Sequence, residues 1–152
     1  GLETSVTNML VFANFKKGKK AQWLINAQLQ HSFTYVPDAA KALYLFANDD
    51  KAYGQTWHLP TSVETITGES FIKQAAEPMK VENRFSILPL WMMRLAGLFV
   101  EPIKESVEMA YQSAFPYYFN SDKFTKAYNF KPTSYSIGIK NSAVWALEQQ
   151  SK

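Results

Sequence analysis

Short strand-like segments restrict the fold of this chain more than any other feature. They lie at 21–25 (AQWLI), 33–36, 55–60 (QTWHLP) and, with imperfect alternation, 80–88, and helical patterns separate them. A sheet in a globular domain usually has about four to six strands. Because these segments are few, short and scattered, we expect no complete sheet from this chain alone. The sequence predicts a mixed α/β fold, mostly helical, that belongs to a larger body.

Caps and helix-breaking residues place the helices. We predict helical segments over residues 4–17, 37–48, 67–76 and about 134–149, a short one that Asn120 caps, and two within 89–113. Pro102 divides the last pair near Val100, because proline fits a first helical turn and not a helix interior. Gly18 and Asn129 suit the left-handed conformation that commonly ends a helix. Thr4 or Ser5 is available to cap the first helix, and Thr67 to cap the third.

Apolar residues at helical spacing mark one face of several helices. In the first helix the repeat consists of Val6, Met9, Leu10 and Ala13. The predicted buried stripe of the second helix consists of Val36, Ala40, Leu43, Tyr44 and Ala47. One face of the final helix carries Ile137, Val144 and Leu147. Asp38, in the first turn of its helix, is expected to meet the positive end of the dipole and to form hydrogen bonds.

Composition and charge exclude several functions. The 152 residues fit one domain, and the absence of cysteine excludes disulfide scaffolds and thiolate zinc sites. Two histidines, His31 and His58, are too few for a metal site. The net charge of +3 comes mostly from lysines, without a nucleic-acid-binding motif. No signal peptide and no apolar run long enough for a membrane span occur, which predicts a cytoplasmic protein.

The sequence lacks the motifs of self-sufficient catalysts. Its six glycines form no G-x-G-x-x-G turn, and no P-loop, G-x-S-x-G or H-E-x-x-H motif occurs. No tyrosine is followed four residues later by lysine, the helical spacing that places both groups on one face. We therefore predict no catalytic, cofactor-binding or metal-binding residue in this chain.

Several segments, in their order along the chain, carry a family resemblance. They are HSFTYVPDAAKAL (31–43), GQTWHLPTS (54–62), TGESFIKQAA (67–76), YFNSDKFTKAYNFKPT (118–133) and SIGIKNSAVWAL (136–147). Together they resemble the C-terminal half of NAD-dependent epimerase/dehydratases. These are the extended or atypical short-chain dehydrogenase/reductases, which act on nucleotide sugars and related substrates. The likeness covers nearly the whole chain.

The resemblance implies that this chain is a fragment. In the family, an N-terminal Rossmann domain binds NAD or NADP and carries the glycine-rich turn and a Tyr-x-x-x-Lys pair, both upstream of everything present here. The expected fold is thus the C-terminal portion of a Rossmann-type α/β enzyme. We expect the parent protein to be an NAD(P)-dependent epimerase, dehydratase or reductase, and this chain to be inactive without the Rossmann domain as its partner.

Two patterns of the family's substrate pocket map onto this sequence. The pattern Arg-Asp-aromatic-x-(His/Tyr)-Val-x-Asp falls on residues 31–38, where a histidine replaces the arginine that commonly binds a substrate phosphate. The resemblance implies a nucleotide-sugar substrate. Imidazole cannot grip phosphate with two parallel hydrogen bonds as guanidinium does, which argues against a nucleotide diphosphate, so a more apolar compound stays open as the alternative. The pattern Asp-x-Ser-Lys falls on residues 120–123, just after two tyrosines that stand where the family often places an aromatic side chain against the substrate.

The resemblance implies five substrate-binding residues, His31, Phe33, Tyr35, Tyr117 and Tyr118. Because side chains alternate along an extended segment, at least one of His31, Phe33 and Tyr35 is expected beside the ligand. The alternative is that Phe33 and Tyr35 pack in the core while His31 is a solvated turn residue.

The stretch PLWMMRLAGLFV (89–100) is too apolar to be exposed all round a helix. Four roles for this stretch stay open at this point. It packs in the core or an interface, forms a lid over the substrate cleft, is buried against a second copy of the chain in a homodimer, or attaches to a membrane surface. If these Met- and Trp-rich helices serve as a contact surface, the chain is a non-enzymatic ligand-binding or oligomerisation module, which is the alternative to the enzyme hypothesis.

Overall fold

The computed structural model describes residues 5–99, 104 and 107–149, which form a mixed α/β fold with short strands. The α-helices in this part of the chain are α1 (Ala13–Lys16), α2 (Val36–Ala47), α3 (Gly68–Met79), α4 (Leu90–Gly97), α5 (Asp122–Ala127) and α6 (Tyr135–Glu148). The strands are β1 (Ala21–Leu24), β2 (Gln30–His31), β3 (Ile66–Thr67) and β4 (Phe85–Leu88). A π-helical turn (Asn8–Phe12) leads into α1, and 3-10 turns occupy Asp50–Ala52 and Met109–Ser113. The predicted cap at Thr4 and the predicted helix break at Val100 and Pro102 lie outside the described residues.

Two small sheets organise the strands. β1 pairs in parallel with β4, so that Ala21 lies opposite Phe85 and Leu24 opposite Leu88. β2 pairs antiparallel with β3. Parallel strands need a long crossover connection, and the chain between β1 and β4 contains α2 and α3. The predicted strand at 21–25 is confirmed, whereas the irregular segment at 80–88 forms a strand only over its last four residues.

Two predicted strands are wrong. The segment 33–36 follows β2 and runs into α2, and the Phe33 N–H donates to the Tyr135 hydroxyl at 3.1 Å. The segment 55–60 forms no ladder, and one of its backbone carbonyls accepts a hydrogen bond from Lys123 Nζ at 3.0 Å. Side chains therefore satisfy backbone groups that a sheet would otherwise pair, and alternating sequence alone does not distinguish the two arrangements.

The predicted caps are largely confirmed. The Thr67 hydroxyl accepts a hydrogen bond from Ser70 N at 3.1 Å and so caps α3, which continues beyond its predicted end to Met79. Asn120 Oδ1 accepts from the first backbone N–H of α5 at 2.8 Å. Gly18 and Asn129 have φ values of 67° and 46°, the left-handed conformation predicted for both.

The main core lies where α3 and α6 pack against each other and against the first helical segment and β1. Trp23 of β1 contacts Phe71 of α3, with ring centroids 5.8 Å apart. Gly68, the first residue of α3, lies against the same indole, and a Cβ at this position would overlap the ring. The close approach of α3 to β1 therefore requires glycine.

A second aromatic cluster holds α5 against α2 and the 55–60 segment. Its rings are Phe46, Trp57, Phe124 and Tyr128, with neighbouring centroids between 5.0 and 5.9 Å apart. The Tyr128 hydroxyl donates to Asp49 Oδ2 at 2.9 Å. Desolvation and this contact with a carboxylate raise the pKa of Tyr128, which keeps the phenol protonated as a donor.

The predicted buried stripe of α2 is wrong. Leu43 is 59% and Tyr44 70% exposed, whereas Asp38 and Ala42 are buried. The Asp38 carboxylate accepts from the backbone N–H and the hydroxyl of Thr133, at 2.7 and 3.0 Å, which confirms its predicted hydrogen-bonding role. A buried, hydrogen-bonded carboxylate thus sets which face of α2 points inward. The spacing of apolar residues does not predict this orientation.

Other helices also expose apolar side chains. The face of α6 that carries Ile137, Val144 and Leu147 is exposed, while Gly138, Ile139 and Ala143 are among the α6 residues that pack inward. In the first helical segment Val6 and Met9 are exposed, and Val11, Phe12 and Phe15 are buried. The π-helical turn changes the angular spacing between residues, so a repeat of 3.6 does not identify the buried face there.

We predict that Gly68→Ala destabilises the fold by about 1–3 kcal/mol, the usual cost of inserting a methyl group into a filled core. The matched control is Gly138→Ala in α6, where the nearest atom to the added Cβ is Tyr35 Cδ2 at 3.4 Å. Because alanine is favoured over glycine inside helices by about 0.5–1 kcal/mol, the control should be neutral or stabilising. Urea unfolding measures both, and equal free energies of unfolding for the two variants would contradict the packing described.

Candidate functional site

A cleft of about 520 Å³ opens beside the end of β1, and we call it the main cleft. Most of its lining is apolar, from Val6, Leu10, Trp23, Leu24, Phe33, Met109, Ala110 and Tyr117. The remaining lining residues are polar, namely Thr7, His31, Ser32, Gln112 and Ser113. No aspartate, glutamate, lysine or arginine is among these described lining residues. Its volume lies within the roughly 300–1,000 Å³ typical of ligand sites.

Backbone pairing on both sides fixes His31 at the cleft. As part of β2 it lies opposite Ile66 of β3, and on its other side it forms a parallel bridge with Tyr117. Ser32 N donates to Tyr117 O at 2.9 Å, and Tyr117 N donates to Gln30 O at 3.1 Å. These bonds bring the 30–33 and 115–119 regions of the chain together, although more than 80 residues separate them in the sequence.

The His31 side chain is buried and hydrogen-bonded. It is 8% exposed, and its Nε2 lies 3.0 Å from the carbonyl oxygen of Phe115. A carbonyl only accepts, so Nε2 carries the hydrogen and donates. Burial lowers the pKa of His31, which favours the uncharged ring. In that tautomer Nδ1 is a hydrogen-bond acceptor.

Phe33 combines the two roles that the sequence left open. Its ring packs against Trp23, Phe71 and Tyr135 with centroid distances of 6.2, 5.3 and 6.3 Å, and it also lines the main cleft. The Phe33 and His31 rings lie nearly perpendicular to each other, with centroids 6.4 Å apart. Burial raises the pKa of Tyr135, whose hydroxyl accepts the Phe33 N–H, so this phenol stays protonated. Phe33 therefore lies between the core and the main cleft and contacts both.

Not all the predicted binding residues converge. His31, Phe33 and Tyr117 line the main cleft, whereas Tyr35 lines a second cleft of about 340 Å³ together with Phe33. Tyr35 packs over Gly138 of α6. Tyr118 lines neither cleft, and its hydroxyl donates to Gln30 Oε1 at 3.1 Å on the surface. The alternative that places His31 in a solvated turn is wrong, because its side chain is buried.

Sequence reasoning missed part of the lining of the main cleft. Leu24 is the last residue of β1, and Met109 and Gln112 come from the 3-10 turn. Only Leu24 carries a usable signal, since ligands in parallel α/β folds bind beyond the carboxyl ends of strands. Met109 and Gln112 reach the cleft through tertiary packing that no local pattern indicates.

Two further classes of site were sought in the part of the chain that the structure describes. These residues hold no group of three or more His, Asp or Glu side chains placed to bind a metal ion. No helix among them has the length and apolar character needed to cross a bilayer.

We predict that His31 makes the fold sensitive to acid. Its folded-state pKa lies below the ordinary value of 6.5, so the unfolded state binds protons more readily. The stability that His31 contributes is fully present above about pH 6.5, the ordinary pKa of histidine, and is lost as the pH falls through the folded-state pKa. Between pH 7 and 5 the free energy of unfolding of His31→Gln should therefore fall less than that of the wild type.

The control for this measurement is Gln55→Ala, an exchange between uncharged side chains at an exposed residue outside the main cleft. Urea unfolding at several pH values should give this variant the acid sensitivity of the wild type. Identical pH dependence for His31→Gln and the wild type would contradict the burial argument.

Comparisons of the chain with protein-family models, curated proteins and solved structures find no significant match. The resemblance to extended short-chain dehydrogenase/reductases therefore rests on the sequence segments quoted above. What it implies for function remains an expectation.

Proposed function

We propose that this chain is the substrate-binding C-terminal region of an NAD(P)-dependent epimerase, dehydratase or reductase of the extended short-chain dehydrogenase/reductase type. The observation that carries the proposal is the location of the main cleft at the carboxyl end of a parallel strand. Trp23 and Leu24, the last two residues of β1, line the cleft. In parallel α/β sheets, ligands bind in the crevice outside the carboxyl ends of the strands.

The pairing of β1 with β4 also supports the proposal that the sheet continues in a domain outside this chain. Parallel sheets occur almost only with both faces covered and with more than two strands. Alternate residues of β1, Ala21 and Trp23, are buried, whereas β4 exposes Ser86 and Ile87. β1 therefore has the burial of an inner strand and β4 that of an outer one. A further strand from a Rossmann domain would fit on the free edge of β1.

The residues present do not fit a dinucleotide site. Such a site needs a glycine-rich turn between a strand and a helix, so that the backbone can approach the pyrophosphate. β1 is followed by Ile25, Asn26 and Ala27, and β4 by Pro89 and α4. Neither turn contains glycine. In the proposal NAD or NADP is bound by the Rossmann domain and not by this chain.

In the proposal, this chain shapes the substrate pocket and orients the substrate. Phe33 and Trp23 are held by the core and would form fixed walls for a substrate, and the 3-10 turn Met109–Ser113 would close another side. Misplacement of a substrate by about 1 Å can cost roughly 10²-fold in rate. Rigid walls matter for that reason, even though the reacting groups would come from the other domain.

A specific observation favours the second candidate, a binding or oligomerisation module. The α4 region exposes Trp91 by 64% and Phe99 by 85%, together with Leu95 and Leu98. Contiguous exposed apolar side chains mark contact surfaces. This candidate predicts that Trp91→Ser shifts sedimentation of the chain from dimer to monomer, while Val63→Ser, at an exposed apolar residue outside α4, does not. A chain that is monomeric at all concentrations would contradict the homodimer form of this candidate.

The enzyme proposal makes a direct prediction about the gene and the complete protein. The reading frame upstream of this chain should encode a glycine-rich turn and a Tyr-x-x-x-Lys pair. The complete protein should enhance NADH or NADPH fluorescence saturably, because the Rossmann domain shields the nicotinamide, whereas this chain alone should not. Saturable enhancement by this chain alone, or a reading frame without the upstream domain, would contradict the proposal.

A further inference from the structure

The main cleft is uncharged on every described side. Its polar lining residues are a histidine, two serines, a threonine and a glutamine. His31 is the one member of this polar set that can gain a charge near neutral pH, and burial lowers its pKa. The cleft therefore offers hydrogen bonds at neutral pH without a formal charge.

Two basic side chains, Lys19 and Arg84, lie at the opposite end of the parallel strands. Lys19 is two residues before β1 and Arg84 directly precedes β4, and both line a separate cavity of about 180 Å³ with Glu82. The main cleft lies at the carboxyl end of β1. At about 3.3 Å per residue, Lys20 and Leu24 are roughly 13 Å apart along the strand, beyond a Debye length at physiological ionic strength.

A phosphate group seated in this cleft would lose part of its hydration without gaining a cation from the described lining residues. Buried charges in proteins are paired, and an unpaired one is strongly disfavoured. The aromatic walls formed by Trp23, Phe33 and Tyr117 instead suit an apolar, planar body. His31 Nδ1 is an acceptor in the neutral tautomer, because Nε2 donates to the Phe115 carbonyl.

We infer that the main cleft binds an uncharged, largely apolar and planar molecule that carries a hydroxyl donor, and that it discriminates against the corresponding phosphate ester. The inference rests on the proposed function only for the statement that this ligand is the substrate. It separates the chain from those members of the resembled family that act on nucleotide sugars, in which an arginine at the position of His31 commonly binds phosphate.

Two probes that share one ring system test the inference. 2-Naphthol is uncharged at neutral pH, and 2-naphthyl phosphate differs from it by the phosphate. In an NMR titration of this chain, 2-naphthol should shift the Trp23 indole and His31 ring resonances saturably. The phosphate ester should bind at least about tenfold more weakly, a difference of the size expected for burying an unpaired charge. Equal or tighter binding of the ester, or no saturable shift with either probe, would overturn the inference.

Two lysine variants distinguish the effect of a cation inside the cleft from the effect of one more positive charge elsewhere on the chain. Gln112→Lys places a cation on a half-buried lining residue without altering the buried His31. It should tighten binding of the phosphate ester relative to that of 2-naphthol by at least about tenfold. Gln55→Lys, the same substitution at an exposed residue outside the cleft, should change neither affinity. Equal effects of the two substitutions on the ester would overturn the inference.

The outcomes distinguish this inference from the proposed function. If 2-naphthol is preferred while the upstream reading frame lacks a dinucleotide-binding domain, the enzyme proposal fails and the ligand inference stands. If the upstream domain is present and the ester binds as tightly as the alcohol, the enzyme proposal stands and the ligand inference fails.

Discussion

Parallel pairing of β1 with β4 is the constraint on which the other elements depend. It places the carboxyl ends of both strands at one edge, where Leu24 opens into the main cleft. It also fixes the face on which α3 packs, since Gly68 lies against the Trp23 indole. Two parallel strands are too few for a stable sheet in isolation, so the pairing supports the proposal that this fold is the margin of a larger one.

The chemistry of the cleft follows from how its walls are held. The bridge between His31 and Tyr117 holds the His31 side chain in a buried position. The Phe115 carbonyl accepts a hydrogen bond from Nε2 and so fixes the tautomer of the ring. Phe33 is held on its other side by the aromatic core. The described lining is thus mostly apolar and uncharged, and in our inference it selects ligands by shape and hydrogen bonding and disfavours phosphate.

Local chemistry in the sequence predicts much of the fold, and tertiary packing decides the rest. The cap at Thr67 and the helix ends at Gly18 and Asn129 follow from backbone preferences that act within a few residues, so they can be predicted. The orientation of α2 cannot, because Asp38 is buried by two hydrogen bonds to Thr133, 95 residues away. For the same reason the sequence indicates His31, Phe33 and Tyr117 as site residues but not Met109 or Gln112, whose position depends on contacts distant in the chain.

Hydrogen exchange along β1 tests most directly whether this pair is part of a larger sheet. Ala21 N donates to Arg84 O and Ile25 N to Leu88 O, so by the alternation of a parallel ladder the Gln22 and Leu24 amides point away from β4. In this chain alone, the Gln22 and Leu24 amides should exchange faster than those of Ala21 and Ile25. In the complete protein, all four amides should be protected equally, because a neighbouring strand would accept from the outer pair. Equal protection of all four in this chain alone, or outer amides that stay fast in the complete protein, would contradict the account.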